Sequence, residues 1–388
     1  MSSLIRDLAA STPEMVATFG DDALIAAALA FEAALARALA AEGLISAAAA
    51  DAIAAACATP LADPATLARE AAHAGTLAIP LVRRLRERVA ERHPEVAAAV
   101  HRGATSQDVA DTALMLMSGA AGDLIEAEVR RLLHALAALT RRHAATPMLG
   151  RTLLQGAAPI TFGLKTAGWM LGLEAGRSRF ARERVDALRL QFGGASGTLA
   201  GLDGRGTAIA DRMAADLGLA PAVIPWHARR EGLAALGAAL ALVVGAVGKI
   251  ARDISLLAQG EVAEAREPQV TGRGGSSVMA HKRNPTGCQV ALSAAIRAPG
   301  LAATLLAALP QEHERGLGGW QAEAPVLAEL FELAHGALRA LAPVIEGLEV
   351  DEAAMARNLA AAGVGFDTGE SEALVRRALS ALGKAEGG

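Results

Sequence analysis

One long stretch without a charge, GLAALGAALALVVGAVG at positions 232–248, restricts the fold of this chain more than any other feature. A membrane-spanning helix needs about 20 predominantly apolar residues, and Glu231 and Lys249 flank this stretch. A helix that is apolar on every side is either a membrane span or part of a large buried core. The sequence continues directly into KIARDISLLAQGEVAEAREP, so we favour a long buried helix. This interpretation implies that neighbouring subunits cover the apolar helix surface that a single chain leaves exposed.

The composition favours helices around that buried stretch. Hydrophobic residues make up 53% of the chain, but aromatic residues only 3%, and tyrosine is absent. The core must therefore consist of Ala, Leu, Val and Ile, of which Ala and Leu are strong helix formers. No alternating apolar and polar run is long enough to indicate a sheet. We therefore predict an all-α fold, a long-helix bundle.

Charge and cysteine content exclude several classes of protein. There are 37 basic and 41 acidic residues, a net charge of −4, which lacks the basic excess typical of nucleic-acid-binding or membrane-surface proteins. Cys57 and Cys288 are too few for a disulfide framework, so a reducing cytoplasm is expected. The first fourteen residues carry Arg6, Asp7 and Glu14 and do not resemble a secretory signal.

Helical periodicity and glycine-rich breaks suggest three parts. A first helix is expected to be capped by Asp21 or Asp22 and to end at Gly43. Much longer helical segments follow from about Asp108 onward. The predicted long segments are 108–143, 160–190, 232–265 and 285–306. We predict an N-terminal helical domain (1–107), a central bundle (108–345) and a short C-terminal helical segment (346–388).

A first polar cluster, HRGATSQD at 101–108, stands immediately before a predicted long helix. Thr105, Ser106 and Asp108 are favoured N-cap residues, so a plain helix cap is one interpretation. Hydroxyl and backbone N–H groups at a helix N-terminus also bind carboxylate or phosphate. The second interpretation is therefore an anion site.

A second polar cluster, GRTLLQGAAP at 150–159, also precedes a long helix. Arg151, Thr152 and Gln155 provide hydrogen-bond donors. Taken alone, this cluster is better interpreted as a surface loop with an exposed arginine.

The third cluster, GRGGSSVMAHKRNP at 272–285, is the most informative. Its glycines allow backbone motion, and two serines, a histidine, two cations and an asparagine follow at once. Such a loop can close over a bound anion, exclude water and deliver a reactive hydroxyl. A flexible basic loop is the alternative, and the GxxxxGK[ST] phosphate motif is absent.

A fourth, weaker cluster is QEHER at 311–315, with Trp320 and Glu323 nearby. The carboxylates beside His313 can hold one tautomer of its ring, which makes His313 a candidate catalytic residue. A solvated surface histidine is the more common outcome for this pattern. No HExxH, CxxC, EF-hand or GxSxG motif is present, so we expect no metal and no organic cofactor.

Three of these clusters, taken in order, resemble the fumarase/aspartase superfamily. GSSVMAHKRNP is similar to its GSSxMPxKxNP signature, HRGATSQD to its first block and GRTLLQGAAP to its second. The similarity covers about residues 20–345. Within the superfamily, AGTLAIPLVRRL, PWHARREGL and the stretch 282–323 most resemble the bacterial 3-carboxy-cis,cis-muconate cycloisomerases. The resemblance implies a homotetramer with a core of roughly twenty helices and active sites built from different subunits.

The resemblance also implies roles for individual residues. Ser276 looks like the catalytic serine of the mobile loop, with His313 as the next candidate for proton transfer. The other matching positions look like contacts to a small polycarboxylate substrate. These substrate-binding candidates are Thr105, Ser106, Arg151, Thr152, Gln155, Arg230, Lys282 and Asn284.

Several positions depart from the family pattern. Leu153 and Gly156 stand where Trp or His is usual in the second block, and Ala280 replaces the proline of the signature. Arg102 and Thr76 replace a usual Trp and Asn. A missing second-block histidine is easier to reconcile with a cycloisomerase, whose leaving group is a carboxylate, than with a lyase that expels an amine.

Three functions therefore remain open from the sequence. The first is a cycloisomerase (an intramolecular lyase) of protocatechuate catabolism, in the β-ketoadipate pathway, which we favour. The second is a fumarate-releasing lyase such as adenylosuccinate lyase. The third is a catalytically weak family member with a structural or binding role.

Overall fold

The structure, a computed structural model, describes residues 8–275 and 282–386 and confirms the all-α prediction. The N-terminal part is a set of short helices around one longer helix, with 3₁₀ turns at Leu8–Ala10 and Ala97–Ala99. Its helices are α1 (Pro13–Thr18), α2 (Asp21–Ala41), α3 (Ala47–Cys57), α4 (Pro64–Ala74) and α5 (Ala78–Ala90).

The ends of α2 follow from local chemistry. Gly20 is the N-cap, so Asp21 and Asp22 lie in the first helical turn rather than at the cap. Carboxylates there face the positive end of the helix dipole and stabilise it. Gly43 adopts a left-handed φ of 72° just after the helix, as its position predicts.

Long helices make up the rest of the chain. They are α6 (Ser106–Arg142), α7 (Phe162–Ala187), α8 (Gly206–Leu217), α9 (Glu231–Leu257), α10 (Thr286–Ala307) and α11 (Gly319–Glu346), followed by α12 (Glu352–Ala362) and α13 (Ser371–Glu386). All four predicted long segments are helical, but α9 ends eight residues early, where Ala263 takes a positive φ of 51° beyond it. The sequence pattern does not mark α11, because Pro325 and Pro343 interrupt its apolar run.

No alternating run in the sequence indicates a sheet, but the structure contains two short antiparallel strand pairs. Strands β1 (Pro147–Thr152) and β2 (Gln155–Thr161) form an antiparallel hairpin within the second block, and β3 (Ala265–Arg266) pairs with β4 (Glu349–Val350). The hairpin turn consists of Leu153 and Leu154, both at positive φ. Turns of this kind usually contain Asn or Gly, so the sequence carries no recognisable hairpin signal.

The uncharged stretch lies in α9, which packs against α7, α10 and α11. One face of α9 remains open in the single chain, since Leu242 is half-exposed and a side chain added at Gly245 would meet no neighbour. By length and composition alone, three apolar stretches of helix are long enough to cross a membrane: Pro13–Ala41, Glu231–Leu257 and Thr286–Ala307. The last is the least covered, with 28% of its apolar window buried.

Candidate active site

The first block is organised by the buried carboxylate of Asp108, in the first turn of α6. Its Oδ2 accepts the Thr105 N–H (2.9 Å) and the Gly194 N–H (3.0 Å). Its Oδ1 accepts the Gly193 N–H (3.0 Å) and lies 2.7 Å from His227 Nε2. A Cβ at Gly193 would lie 2.9 Å from the His227 ring, so this close approach requires glycine. Asp108 thus joins the start of α6 to two loops that are distant in sequence.

One turn further along α6, a buried ion network holds Arg230. Its Nη1 and Nη2 donate to the two oxygens of Asp111 (2.8 and 2.9 Å), and its Nε and Nη2 donate to Glu323. The guanidinium also lies 4.8 Å from the centre of the Trp226 ring. Burial alone would lower the pKa of Arg230, but the two carboxylates outweigh it and raise that pKa. Burial raises the pKa of Glu323, which Arg230 partly offsets.

This arrangement uses every nitrogen of the Arg230 guanidinium. Arg230 therefore holds Asp111 on α6 and Glu323 on α11 together beneath the first block. A direct contact with substrate, as the resemblance implies, remains a prediction, and the observed contacts give Arg230 a positioning role.

Thr105 meets the fourth cluster through a residue that sequence reasoning did not select. Arg315 Nη1 donates to Thr105 Oγ1 at 2.7 Å. The Thr105 N–H is already bound to Asp108, so its hydroxyl hydrogen is the group that remains to donate. Ser106 begins α6 and is half-buried. The structure thus brings Thr105, Ser106 and Arg315 together.

The loop that carries Arg315 is tightly wound around Gln311. A Cβ at Gly316 or Gly319 would collide with the Gln311 side-chain amide. His313 lies in the same loop at a positive φ of 49° and is exposed. No described hydrogen bond joins His313 to the first block, so its catalytic role stays a prediction.

The second block forms the β1–β2 hairpin. Thr152 and Gln155 are exposed, and Leu153 and Leu154 are 96% and 78% exposed at the tip. Non-glycine residues at positive φ are strained, and such strain concentrates at functional sites. Arg151, by contrast, is bound through both Nη atoms to the fully buried Glu264, at 2.8 Å each.

Glu264 also fastens the C-terminal segment, because Asn358 Nδ2 donates to its Oε1 at 2.8 Å. Glu264, which lies just before β3, therefore binds the hairpin through Arg151 and α12 through Asn358. Arg151 anchors the hairpin in this structure, and its role as a substrate ligand remains a prediction.

The third block is only partly described. The predicted catalytic Ser276 lies in 276–281, outside the described residues. At the base of the loop, Asn284 N–H donates to Gly274 O (2.8 Å), and Arg283 binds Glu349 through both Nη atoms (2.8 Å each). Lys282 is exposed and Asn284 is half-buried.

The start of α10 beside this loop is capped by Glu267. Its carboxylate accepts the N–H groups of Gly287 (3.0 Å) and Cys288 (2.8 Å). An open cavity of about 620 Å³ adjoins these residues and is lined by Gly274, Asn284 and neighbouring side chains of α9 and α10. Among the described residues, no hydrogen bond or ion pair joins one of the three blocks directly to another.

Among the described residues, no group of three His, Cys, Asp or Glu side chains could hold a metal ion, and the expected absence of a metal stays a prediction. Burial raises the pKa of the Cys57 thiol to about 12 and that of Cys288 above its ordinary value. Neither thiol is therefore suited to act as a nucleophile at neutral pH.

Comparisons with known proteins show the family of this chain. The family model described as lyase matches residues 7–300. The 3-carboxy-cis,cis-muconate cycloisomerase of Bradyrhizobium diazoefficiens is 48% identical over 92% of this chain and 80% of its own length. The nitrosuccinate lyase of Streptomyces davaonensis is 43% identical over 92% of this chain and 77% of its own length.

The chain therefore belongs to the lyase family of the fumarase/aspartase superfamily and is an enzyme of that superfamily. Its structure is similar to the crystal structure of the 3-carboxy-cis,cis-muconate lactonizing enzyme from Pseudomonas putida. The TM-score is 0.92 at 39% identity, with 99% of this chain and 100% of that chain covered.

Proposed function

We propose that this enzyme is a 3-carboxy-cis,cis-muconate cycloisomerase that acts in the cytoplasm without a metal or organic cofactor. The observation that carries the proposal is the 48% identity to a cycloisomerase over 92% of the chain, spanning all three polar blocks. The first block adds physical support, since its ordered donors suit a substrate that carries several carboxylates.

Substrate binding in this proposal uses donors from each block. The Thr105 hydroxyl, whose oxygen accepts from Arg315, donates to one substrate carboxylate, and Ser106 adds the hydroxyl and N–H of a helix N-terminus. Lys282 and Asn284 bind a further carboxylate at the base of the signature loop. Thr152 and Gln155, exposed on the hairpin, complete the contacts.

The chemical step closes a lactone. An internal carboxylate oxygen attacks the C=C bond, and the displaced electron pair builds a dianionic aci-carboxylate next to the alpha carbon. Ser276 then gives its hydroxyl proton to that carbon, and water returns a proton to the serine. Preorganised N–H donors and the Lys282 cation stabilise the developing charge, at about 3–4 kcal/mol for each well-placed donor.

The absence of histidine from the second block fits this chemistry. In the reverse direction the leaving group is a carboxylate, a weak base that departs without protonation. Gly156 also lies against Leu149, whose side chain would be 3.2 Å from an added Cβ. A side chain at Gly156 would therefore require the Leu149 side chain to shift slightly.

A spectroscopic assay of the purified enzyme tests the proposal directly. We expect loss of the 3-carboxy-cis,cis-muconate absorbance with undiminished rate in EDTA. Adenylosuccinate and argininosuccinate, assayed side by side, should remain unchanged. Turnover of either of these and not of the muconate would reject the proposal, as would a rate lost to EDTA and restored by a divalent ion.

Elimination from a substituted succinate is the second candidate. The 43% identity to a nitrosuccinate lyase favours it, and elimination from nitrosuccinate likewise expels a weakly basic anion. Nitrosuccinate therefore belongs in the same assay. Release of fumarate from it, without turnover of the muconate, would establish this second function.

The proposed assembly is a homotetramer. The open face of α9 and the sparsely buried α10, where Ile296 is 75% exposed, are apolar surfaces that water disfavours. We expect light scattering at micromolar concentration to give four times the mass of one 39.4 kDa chain. A stable monomer would contradict this prediction.

Arg315 provides a further test of the site. No carboxylate pairs with it in the described part of the chain, and only its Nη1 is engaged, by Thr105. We expect Arg315→Met to raise KM about tenfold or more. The Thr105 hydroxyl, which binds a substrate carboxylate in this proposal, then loses the hydrogen bond from Arg315, and such a charge-assisted bond contributes about 1.5–3 kcal/mol. Arg179→Met, at an exposed arginine on α7, is the control and should leave KM unchanged. An unaltered KM in Arg315→Met would remove Arg315 from the site.

A further inference from the structure

The residue between two predicted substrate ligands is itself bound to the protein. Arg283 stands between Lys282 and Asn284 in the third block. Its Nη1 and Nη2 donate to the two carboxylate oxygens of Glu349 at 2.8 Å each, and Nη2 also donates to Glu267 O at 2.6 Å. The Arg283 guanidinium is therefore directed towards Glu349 and the backbone of Glu267.

These two partners belong to the short β3–β4 pair or adjoin it. Glu349 begins β4 and lies opposite Arg266 of β3, and Glu267 directly follows Arg266. The Glu267 carboxylate also accepts two N–H groups at the start of α10. The Arg283 side chain is therefore bound to a surface that is tied to both β4 and α10.

The backbone around Arg283 is extended. Arg283 forms an antiparallel bridge with Gly275, and the Asn284 N–H donates to Gly274 O at 2.8 Å. Asn284 also precedes Pro285, and the residue before a proline favours an extended conformation. Residues 282–284 therefore behave as a short length of strand.

In such a stretch, successive side chains point to opposite sides. Because Arg283 faces β4, we expect Lys282 and Asn284 to face the other way. The open cavity of about 620 Å³ agrees with this alternation, since Asn284 lines it and Arg283 does not.

The charge of that cavity suits a carboxylate. Arg252 of α9 provides a cation in its wall, and the other polar side chains that line it are hydroxyls and amides. No Asp or Glu of the described residues lines the cavity. An anion that enters it meets attraction from Arg252 and no opposing carboxylate in its walls.

We propose that Arg283 and Glu349 are positioning residues, whose ion pair fixes the side of the chain on which Lys282 and Asn284 lie and so directs both towards a substrate carboxylate in this cavity. The inference rests on the proposed function, in which Lys282 and Asn284 bind that carboxylate. Neither Arg283 nor Glu349 needs to touch the substrate.

Kinetics on variants of the pair test the inference. The two side chains are 31% and 48% exposed, and exposed pairs contribute little to stability, so the variants should fold. We expect Arg283→Met to raise KM about tenfold, because the substrate then loses well-directed ground-state contacts. Arg283→Glu should also raise KM, and combining it with Glu349→Arg should recover much of the loss, since an ion pair of opposite polarity forms again.

The matched control is a second bidentate pair of similar exposure. Arg131 Nε and Nη2 donate to Glu346 at 2.7 and 2.8 Å, and the side chains are 36% and 40% exposed. Arg131→Met should leave KM unchanged. If Arg283→Met also leaves KM at the wild-type value, the Arg283–Glu349 pair does not position the ligands and the inference fails.

Lysine NMR decides the inference even if the muconate is not the substrate. The chain has only four lysines, so protein labelled with ¹³C-lysine gives four Cε signals, and Lys282→Arg assigns that of Lys282. This signal should shift when 3-carboxy-cis,cis-muconate, fumarate, succinate or tricarballylate binds, and the shift should be lost in Arg283→Met but kept in Arg131→Met.

The NMR outcomes separate the two proposals. A Lys282 signal unmoved by all four ligands, or an equal shift in wild type and Arg283→Met, would overturn the inference. A shift that is lost in Arg283→Met, in an enzyme that does not turn over the muconate, would support the inference and reject only the proposed function.

Discussion

Ser276→Ala is expected to lower kcat by about 10²–10⁴ with little change in KM. A general acid or base contributes about this factor in rate, and a contact made only in the transition state is lost from kcat rather than from KM. Ser276 follows Gly272, Gly274 and Gly275 in the sequence and lies outside the described residues. Steady-state kinetics with the muconate measures both constants.

Two further variants sharpen this prediction. Ser277→Ala, the adjacent serine, is the matched control and should stay within about threefold of the wild-type kcat, since loop serines commonly serve only as turn formers. Lys282→Ala should raise KM as well, because it removes a ground-state carboxylate contact. If Ser276→Ala keeps kcat within about threefold of wild type, the proton belongs to another group, and His313 is the next to test.

The helical fold was open to prediction because its signals are local. The Ala/Leu content, the positions of breaks and the uncharged 232–248 stretch each act through neighbours in sequence, and four long segments were identified from them. The sequence does not predict the hairpin, because two leucines occupy a turn that usually requires glycine or asparagine.

The sequence indicates candidate site residues only where all the residues of a motif lie in one short segment of the chain. The residues of the HRGATSQD block favour a helix cap or an anion site and leave both open, and the groups that support the block come from elsewhere in the chain. His227, Gly193 and Gly194 bind Asp108 across more than eighty residues of sequence. No periodicity or spacing reports such contacts, since they depend on how helices pack.

The partners of Arg151 and Arg230 are equally hidden from the sequence, because they lie in distant segments. The family resemblance implies that Arg151 and Arg230 both contact substrate. In the structure each is bound on two nitrogens to a buried glutamate or aspartate of a distant segment. Arg315, which has no such partner among the described residues, is the arginine that reaches Thr105.

The buried network around Arg230 leads to the second large effect. Arg230→Met should lower the free energy of unfolding by about 3–5 kcal/mol, since it leaves Asp111 and Glu323 buried without a counter-charge. Urea unfolding at a fixed protein concentration measures the change. Fixed concentration is needed because subunit association contributes to the apparent stability of an oligomer.

A surface pair supplies the control for this experiment. Arg37 binds Asp216 at 2.5 Å, but their side chains are 49% and 38% exposed, and exposed pairs contribute only about 0–1 kcal/mol. Arg37→Met should therefore scarcely move the unfolding midpoint.

Replacing Arg230, Asp111 and Glu323 together by apolar residues should recover much of the stability, because no buried charge then remains unpaired. The triple variant should nevertheless stay impaired in catalysis, since the ion pairs that place α11 beside the first block are then lost. If Arg230→Met costs no more than Arg37→Met, the network does not hold the first block together.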